Sequence, residues 1–203
     1  MSYGLKVIEA PASEPIDIGV ARGHLNLASG EHDRLITDVY IPAARQRAEA
    51  ATGRHLIHTK LRLTLARFPR GAVVLPRGPL ASVESVTFYD SEGTQQELVE
   101  GDDFRVLADR EPGELEPVAG YWPTVESGRR DAVAVEFTVG YGETAANVPA
   151  ALISGVLIVL GHLFQNRQEV VTGVTVARVP DAAAAIFEQF ALGDEFIDYE
   201  AGL

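Results

Sequence analysis

Five histidines, His24, His32, His55, His58 and His162, are the side chains best suited to proton transfer or metal binding near neutral pH. His55 and His58 are three apart, a spacing that suits one face of a helix, but strand-like sequence begins at Leu61. No acid stands within the same turn, so the pair reads as ordinary surface histidine. His24 and His32 flank a glycine-ended turn, and His162 sits in an apolar run where a core histidine bonded to a carbonyl is expected. No His-Glu-x-x-His pattern occurs. Serine nucleophiles need a sharp strand-to-helix elbow of the form Gly-x-Ser-x-Gly, which is absent; Ser154-Gly155 falls inside a helical run. The phosphate-cradling glycine loops are missing as well, and Gly140-Tyr141-Gly142 reads as a strand break. Asp102-Asp103 and the loop acids Glu111, Glu114 and Glu116 fit no calcium-loop order. The residues thus imply no catalytic group, no metal site and no cofactor.

Composition narrows the field further. The 203 residues contain no cysteine, which removes disulfides, thiolate metal sites and thiol catalysis. The 29 acids against 17 bases leave a net charge of −12, unsuited to gripping nucleic acid by its phosphates. No signal peptide is expected from residues 1–10, and the uncharged run 148–164 reads as a buried helix, not a membrane span. The negative charge is concentrated: residues 61–140 carry fourteen acids and eight bases, and residues 179–203 carry six acids and no base.

The elements follow from periodicity. Residues 1–60 read as helical, with a short helix starting at Pro15 and Asp17. A longer helix runs from His32 or Asp33 to Thr52 and is closed by Gly53. Leu35, Ile36, Val39, Ala43, Ala50 and Ala51 are its predicted apolar stripe, Arg45, Arg47 and Glu49 its wetter side, and Pro42 its kink. From Lys60 the period becomes two, and strands are predicted near 61–65, 73–75, 83–89, 95–98, 104–107 and 132–138. Residues 108–130 are too irregular to assign. Trp122 there marks either a binding surface or a small satellite core. After Gly142 the helical period returns, in a run capped near Asn147 and Pro149 and apolar on nearly every face. Such a helix must be covered all round, and Val156, Leu157 and Val159 are the candidate residues for a subunit interface. A last helix runs from an Asp181 cap to Leu192. The fold class is therefore α+β: a helical bundle from residues 1–60 and 141–203, with a small antiparallel β-region, 61–140, inserted in it.

Taken in order, these segments resemble a known family. They are the helix ending Ala50-Ala51-Thr52-Gly53-Arg54, the strand Leu61-Arg62-Leu63-Thr64-Leu65, and Phe68-Pro69-Arg70-Gly71. Leu75-Pro76-Arg77-Gly78-Pro79-Leu80 and Phe137-Thr138-Val139-Gly140-Tyr141-Gly142 follow, then Val148-Pro149 and the apolar helix to Arg167. From about Pro15 to Leu192 the chain resembles the head–tail connector, or adaptor, proteins of long-tailed bacteriophages and of phage-like gene transfer agents. The resemblance implies a structural protein without enzymatic activity or cofactor, assembled in the bacterial cytoplasm and located at the neck of a virion or phage-like particle. Its implied partners are further copies in a homo-oligomeric ring, the portal protein, and a tail stopper or tail terminator. DNA would pass through the ring without specific binding, and no membrane is involved. The final stretch, DEFIDYEAGL, lies outside the match. Its Phe196, Ile197, Tyr199 and Leu203, set among four acids, make it a candidate portal-binding arm. A reading from another class makes the β-insert a non-enzymatic sugar- or peptide-binding module centred on Trp122.

Overall fold

A computed structural model describes residues 3–27, 30–166 and 179–193. It is a mixed α+β structure whose described residues fall into two compact units, one built from 3–11, 58–141 and 192–193 and the other from 12–27, 30–57, 142–166 and 179–191.

The first unit is all β. Its strands are β1 (Gly4–Glu9), β2 (Thr59–Leu65), β3 (Val73–Val74), β4 (Leu80–Tyr89), β5 (Gln95–Leu98), β6 (Phe104–Leu107), β7 (Glu114–Pro117) and β8 (Val133–Val139). Five of them form one antiparallel sheet in the order β1-β2-β8-β4-β5, and the other three a second sheet in the order β3-β7-β6. Alternation decides which face is buried. On β8, Val133, Val135, Phe137 and Val139 have no exposed surface, and they stand opposite Leu65, Leu63, Leu61 and Thr59 of β2. Each such fully buried side chain contributes about 1.5–3 kcal/mol relative to an exposed one. Val73, Leu75, Phe104 and Leu115 join the same core. On the wet face, Glu136 takes Arg62 Nε at 3.0 Å and Lys60 Nζ at 3.1 Å. The Arg62 hydrogen bond, chiefly, holds the Glu136 carboxyl below the usual carboxylate range.

Two strands depart from the sequence reading. Residues 4–9 are not helical but the edge strand β1, with Leu5 opposite Leu63 and Val7 opposite Leu61. A bulge between Val7 and Glu9 breaks the period of two, so Leu5 and Ile8 are half-buried and Val7 is left 48% exposed. The irregular stretch also holds a strand, β7, whose Leu115 is fully buried. Gly113 just before it lies so close to Leu80 that a Cβ there would stand 2.6 Å from Leu80 Cδ2.

The second unit is helical: α1 (Ile18–Leu25), a short α2 (Asp33–Leu35), α3 (Ile41–Thr52), α4 (Ala150–Gln165) and α5 (Asp181–Glu188). Asp17 caps α1 by accepting the Val20 N–H at 2.9 Å. Arg22 of α1 donates Nε to Asp33 of α2 at 2.7 Å, closing the turn between them. A π-helical turn, Ile36–Tyr40, joins α2 to α3 and ends two residues before Pro42, which has no N–H to give a regular ladder. The wider turn shifts the phase of the helix, and the predicted stripe holds only in part: Ile36 is fully buried and Ala43 half-buried, but the rest is turned outward. Leu35 and Val39 are 39% and 48% exposed, Ala50 and Ala51 are exposed, and the buried row is Ile41, Ala44, Arg45, Ala48, Glu49 and Thr52. Gly53 ends α3 in the left-handed region, φ 70°, donating its N–H to Glu49 O. The remaining caps differ slightly from expectation: Pro149 and Pro180 occupy the N-cap positions, and Asp181 is the first residue of α5. α4 packs on α3 and α5, and Gly155 meets Phe187. Phe164 near its end receives the rings of His32 and Tyr40 edge-on, at 5.7 and 6.1 Å.

Candidate functional site

Polar clusters come first, since catalysis would need one. The tightest is in the helical unit. Arg45 forks onto Glu14, with Nε–Oε2 2.8 Å and Nη2–Oε1 3.2 Å, and its Nη1 reaches Glu49 Oε2 at 2.9 Å. Glu49 Oε1 accepts the Leu56 N–H at 3.1 Å and lies 3.8 Å from His55 Nδ1. Burial pushes the Glu49 carboxyl up, against the pull of Arg45 and of the Leu56 N–H. Burial works on Arg45 too, lowering it, but the bonds to Glu14 and Glu49 outweigh this and leave it raised. The hydrogen bonds named here all close on the chain itself, so the cluster ties α3 to Glu14 and to residues 55–56. No acid lies within one turn of His55 along the chain; Glu49, six positions back, approaches it across the helix end.

The other candidates disperse. His24 covers Gly161, His32 faces Phe164, and His162 Nδ1 lies 3.0 Å from Asn166 Nδ2. Asp103 Oδ2 accepts the Val99 N–H at 2.8 Å and Glu114 takes Arg110 at 2.9 Å, so these acids hold turns. Among the described residues, no three histidines, cysteines or acids are grouped to hold a metal, and no helix is long and apolar enough to cross a membrane.

Trp122 belongs to the main core. It is 9% exposed, stacks on Phe68 at 4.7 Å with the planes 7° apart, and donates its indole N–H to Gly71 O at 2.7 Å. It is thus neither a satellite core nor an open platform for a sugar ring, because one face and the only polar atom are already used. Beside it lies a groove of about 910 Å³ between segments 66–70 and 121–130. Arg67, Arg70, Arg129 and Arg130 line it, together with Tyr121, which is 73% exposed. Arg129 is neutralised: it pairs with Glu126 at 3.2 Å and Asp131 at 3.1 Å and lies 3.2 Å from the centre of the Tyr89 ring. Arg67, Arg70 and Arg130 are exposed and have no ion pair among the described residues. Sequence spacing hides this groove, because its two sides are more than fifty residues apart.

The three candidate interface residues on α4 separate. Val156 and Val159 have no exposed surface and pack inside their own unit, whereas Leu157 is half-buried. Leu157 belongs to a flank that runs through exposed Ala150, Ala151 and Ser154 and half-buried Ile158. The candidate arm residues Phe196, Ile197, Tyr199 and Leu203 lie outside the described residues.

No family model matches the sequence, and no curated protein matches it either. Solved structures do match. The chain is similar to one in the neck of an empty GTA particle, computed with C6 symmetry, at TM-score 0.78 and 23% identity over 94% of this chain and 96% of that one. A chain in the virion of a native gene transfer agent particle matches at TM-score 0.76 and 22% identity, over 93% and 95%. One in the neck of a native GTA particle, computed with C12 symmetry, matches at TM-score 0.74 and 22% identity, over 94% and 96%. Over nearly its whole length, then, this chain has the fold of chains found in gene transfer agent particles and their necks.

Proposed function

We propose that this chain is a structural component of the neck of a phage-like particle: a ring-forming adaptor that joins the portal protein at a capsid vertex to a tail stopper or tail terminator. DNA passes through the ring without specific binding, and the protein carries out no reaction. The observation that carries this reading is the fold likeness, which takes in both units. Similar chains sit in necks described with C6 and C12 symmetry, which supports a closed ring compatible with a six-fold axis. The net charge of −12 suits a conduit, since carboxylates repel the phosphate backbone. Assembly takes place in the bacterial cytoplasm, before the particle is released.

The neighbouring subunit is assigned to the flank of α4. Val156 and Val159 are taken up by the chain's own core, so a charge placed there tests folding. Leu157 tests the ring. Leu157→Glu is expected to leave the isolated protein folded and to yield heads without tails, because a carboxylate closed into an apolar contact costs several kcal/mol. Electron microscopy of particles from the variant strain checks this. Normal numbers of tailed particles would show that the flank is not a subunit contact.

A further inference from the structure

We propose that the arginine groove of the β unit is the receptor for residues 194–203 of this same chain, supplied by its own or a neighbouring copy. The proposal does not depend on the particle in which the chain works.

The groove has an unusual composition for so acidic a protein. It collects four of the fifteen arginines, and only Arg129 among them is neutralised within the groove wall. Arg67, Arg70 and Arg130 keep exposed guanidinium forks, groups shaped to take a carboxylate bidentately. Tyr121, 73% exposed, stands beside them, and Val125 and the edge of the Phe68–Trp122 stack supply apolar wall. A ligand that fits therefore carries several carboxylates interleaved with large apolar side chains and is narrow enough to lie along a groove.

Residues 194–203 have that composition. Asp194, Glu195, Asp198 and Glu200 alternate with Phe196, Ile197 and Tyr199, and no base is present to oppose the arginines. Fully extended, ten residues span about 33–36 Å, ample for a groove of this size. Four acids of the β unit are poor competitors. Asp90, Asp103, Glu126 and Glu136 are already tied to turns or to arginine and lysine partners. Duplex DNA fits less well. Three exposed arginines would neutralise only about three phosphates on a protein of net charge −12, too few for useful affinity at physiological salt. On this proposal the arm, read from the sequence as a candidate for binding the portal, is held by the basic groove of this chain.

Photocrosslinking of the full-length protein tests the assignment. A benzophenone amino acid is placed at Tyr199, the protein is irradiated, and the crosslinked peptides are identified by mass spectrometry. Crosslinks are expected within 66–70 and 121–130, and the mass of the product, monomer or dimer, shows which copy supplied the arm. Reversing the three exposed arginines together (Arg67→Glu, Arg70→Glu, Arg130→Glu) should lower this yield about ten-fold. Circular dichroism should show the variant still folded, since all three side chains are exposed. Reversing the four acids of the arm to arginine in that background should restore the yield. Crosslinks that map elsewhere, a yield indifferent to the arginines, or no recovery in the double reversal would overturn the proposal. So would loss of the crosslink on adding duplex DNA at physiological salt, which would assign the groove to phosphates.

Discussion

Replacing Arg45 by alanine is expected to destabilise the helical unit by about 3–5 kcal/mol, the cost of stranding a buried charge. The charge left behind is Glu49, 8% exposed, whose remaining named neighbours are the Leu56 N–H and, 3.8 Å away, His55 Nδ1. Glu14 loses its fork at the same time. The loss should depend on pH in a stated direction. Burial already holds the Glu49 carboxyl above its ordinary value, and removing Arg45 takes away the strongest pull in the other direction. In the variant the folded state therefore binds more protons than the unfolded state from the ordinary carboxylate range upward. Stability contributed by the protonated group is present below that range and is lost as pH rises through the shifted value. Thermal melts of Arg45→Ala should thus lie closest to those of the wild type in acid and fall furthest behind near neutrality. A second change, Glu49→Gln, should recover much of the neutral-pH loss. A deficit that is the same at every pH, or no recovery, would show that the pair does not do what its geometry implies.

Gly155→Leu is expected to undock α5 from α4, at a cost of about 3 kcal/mol or more. Even a Cβ at position 155 would stand 2.5 Å from Phe187 Cε1 and 3.0 Å from Cζ, and Phe187 is 1% exposed. The larger side chain either expels the Phe187 ring from the core or pushes the helices apart. Hydrogen exchange should show it directly, with the amides of 181–188 losing protection while those of β2 and β8 keep theirs. Gly23→Ala supplies the contrast. Position 23 is inside α1, exposed, with nothing within 4 Å of the added carbon, and alanine there should be neutral or stabilising by about 0.5–1 kcal/mol. Unchanged protection over 181–188 in Gly155→Leu would contradict the packing described for α4 and α5.

The parts of this fold that were legible in the sequence are those whose period runs undisturbed. Leu61, Leu63 and Leu65 alternate without interruption, and so do Val133, Val135, Phe137 and Val139; both became central strands of the five-stranded sheet. Gly53 marked the end of α3 for a local reason, the positive φ of the residue that closes a helix. The failures came where one residue shifts the phase. The bulge after Val7 hid β1, and the π turn before Pro42 moved the buried row of α3 onto Arg45 and Glu49, which periodicity assigns to water. The sites were harder to see, because they are tertiary. His55 meets Glu49 around the end of a helix, and Arg67 and Arg70 come to line one groove with Arg129 and Arg130 because Phe68 stacks on Trp122. The order of turns and core stretches carried the fold likeness even though no single motif among them is chemical. It holds over more than nine-tenths of the chain at 22–23% identity.

A place in the particle neck is the central claim, and locating the protein in whole particles tests it most directly. The chain can be given an epitope tag, labelled with antibody-bound gold, and viewed in negatively stained particles. The prediction is label at a single capsid vertex, between the head and the start of the tail, and nowhere else. Label spread over the head shell or along the tail tube, or particles that carry none of the chain, would contradict it.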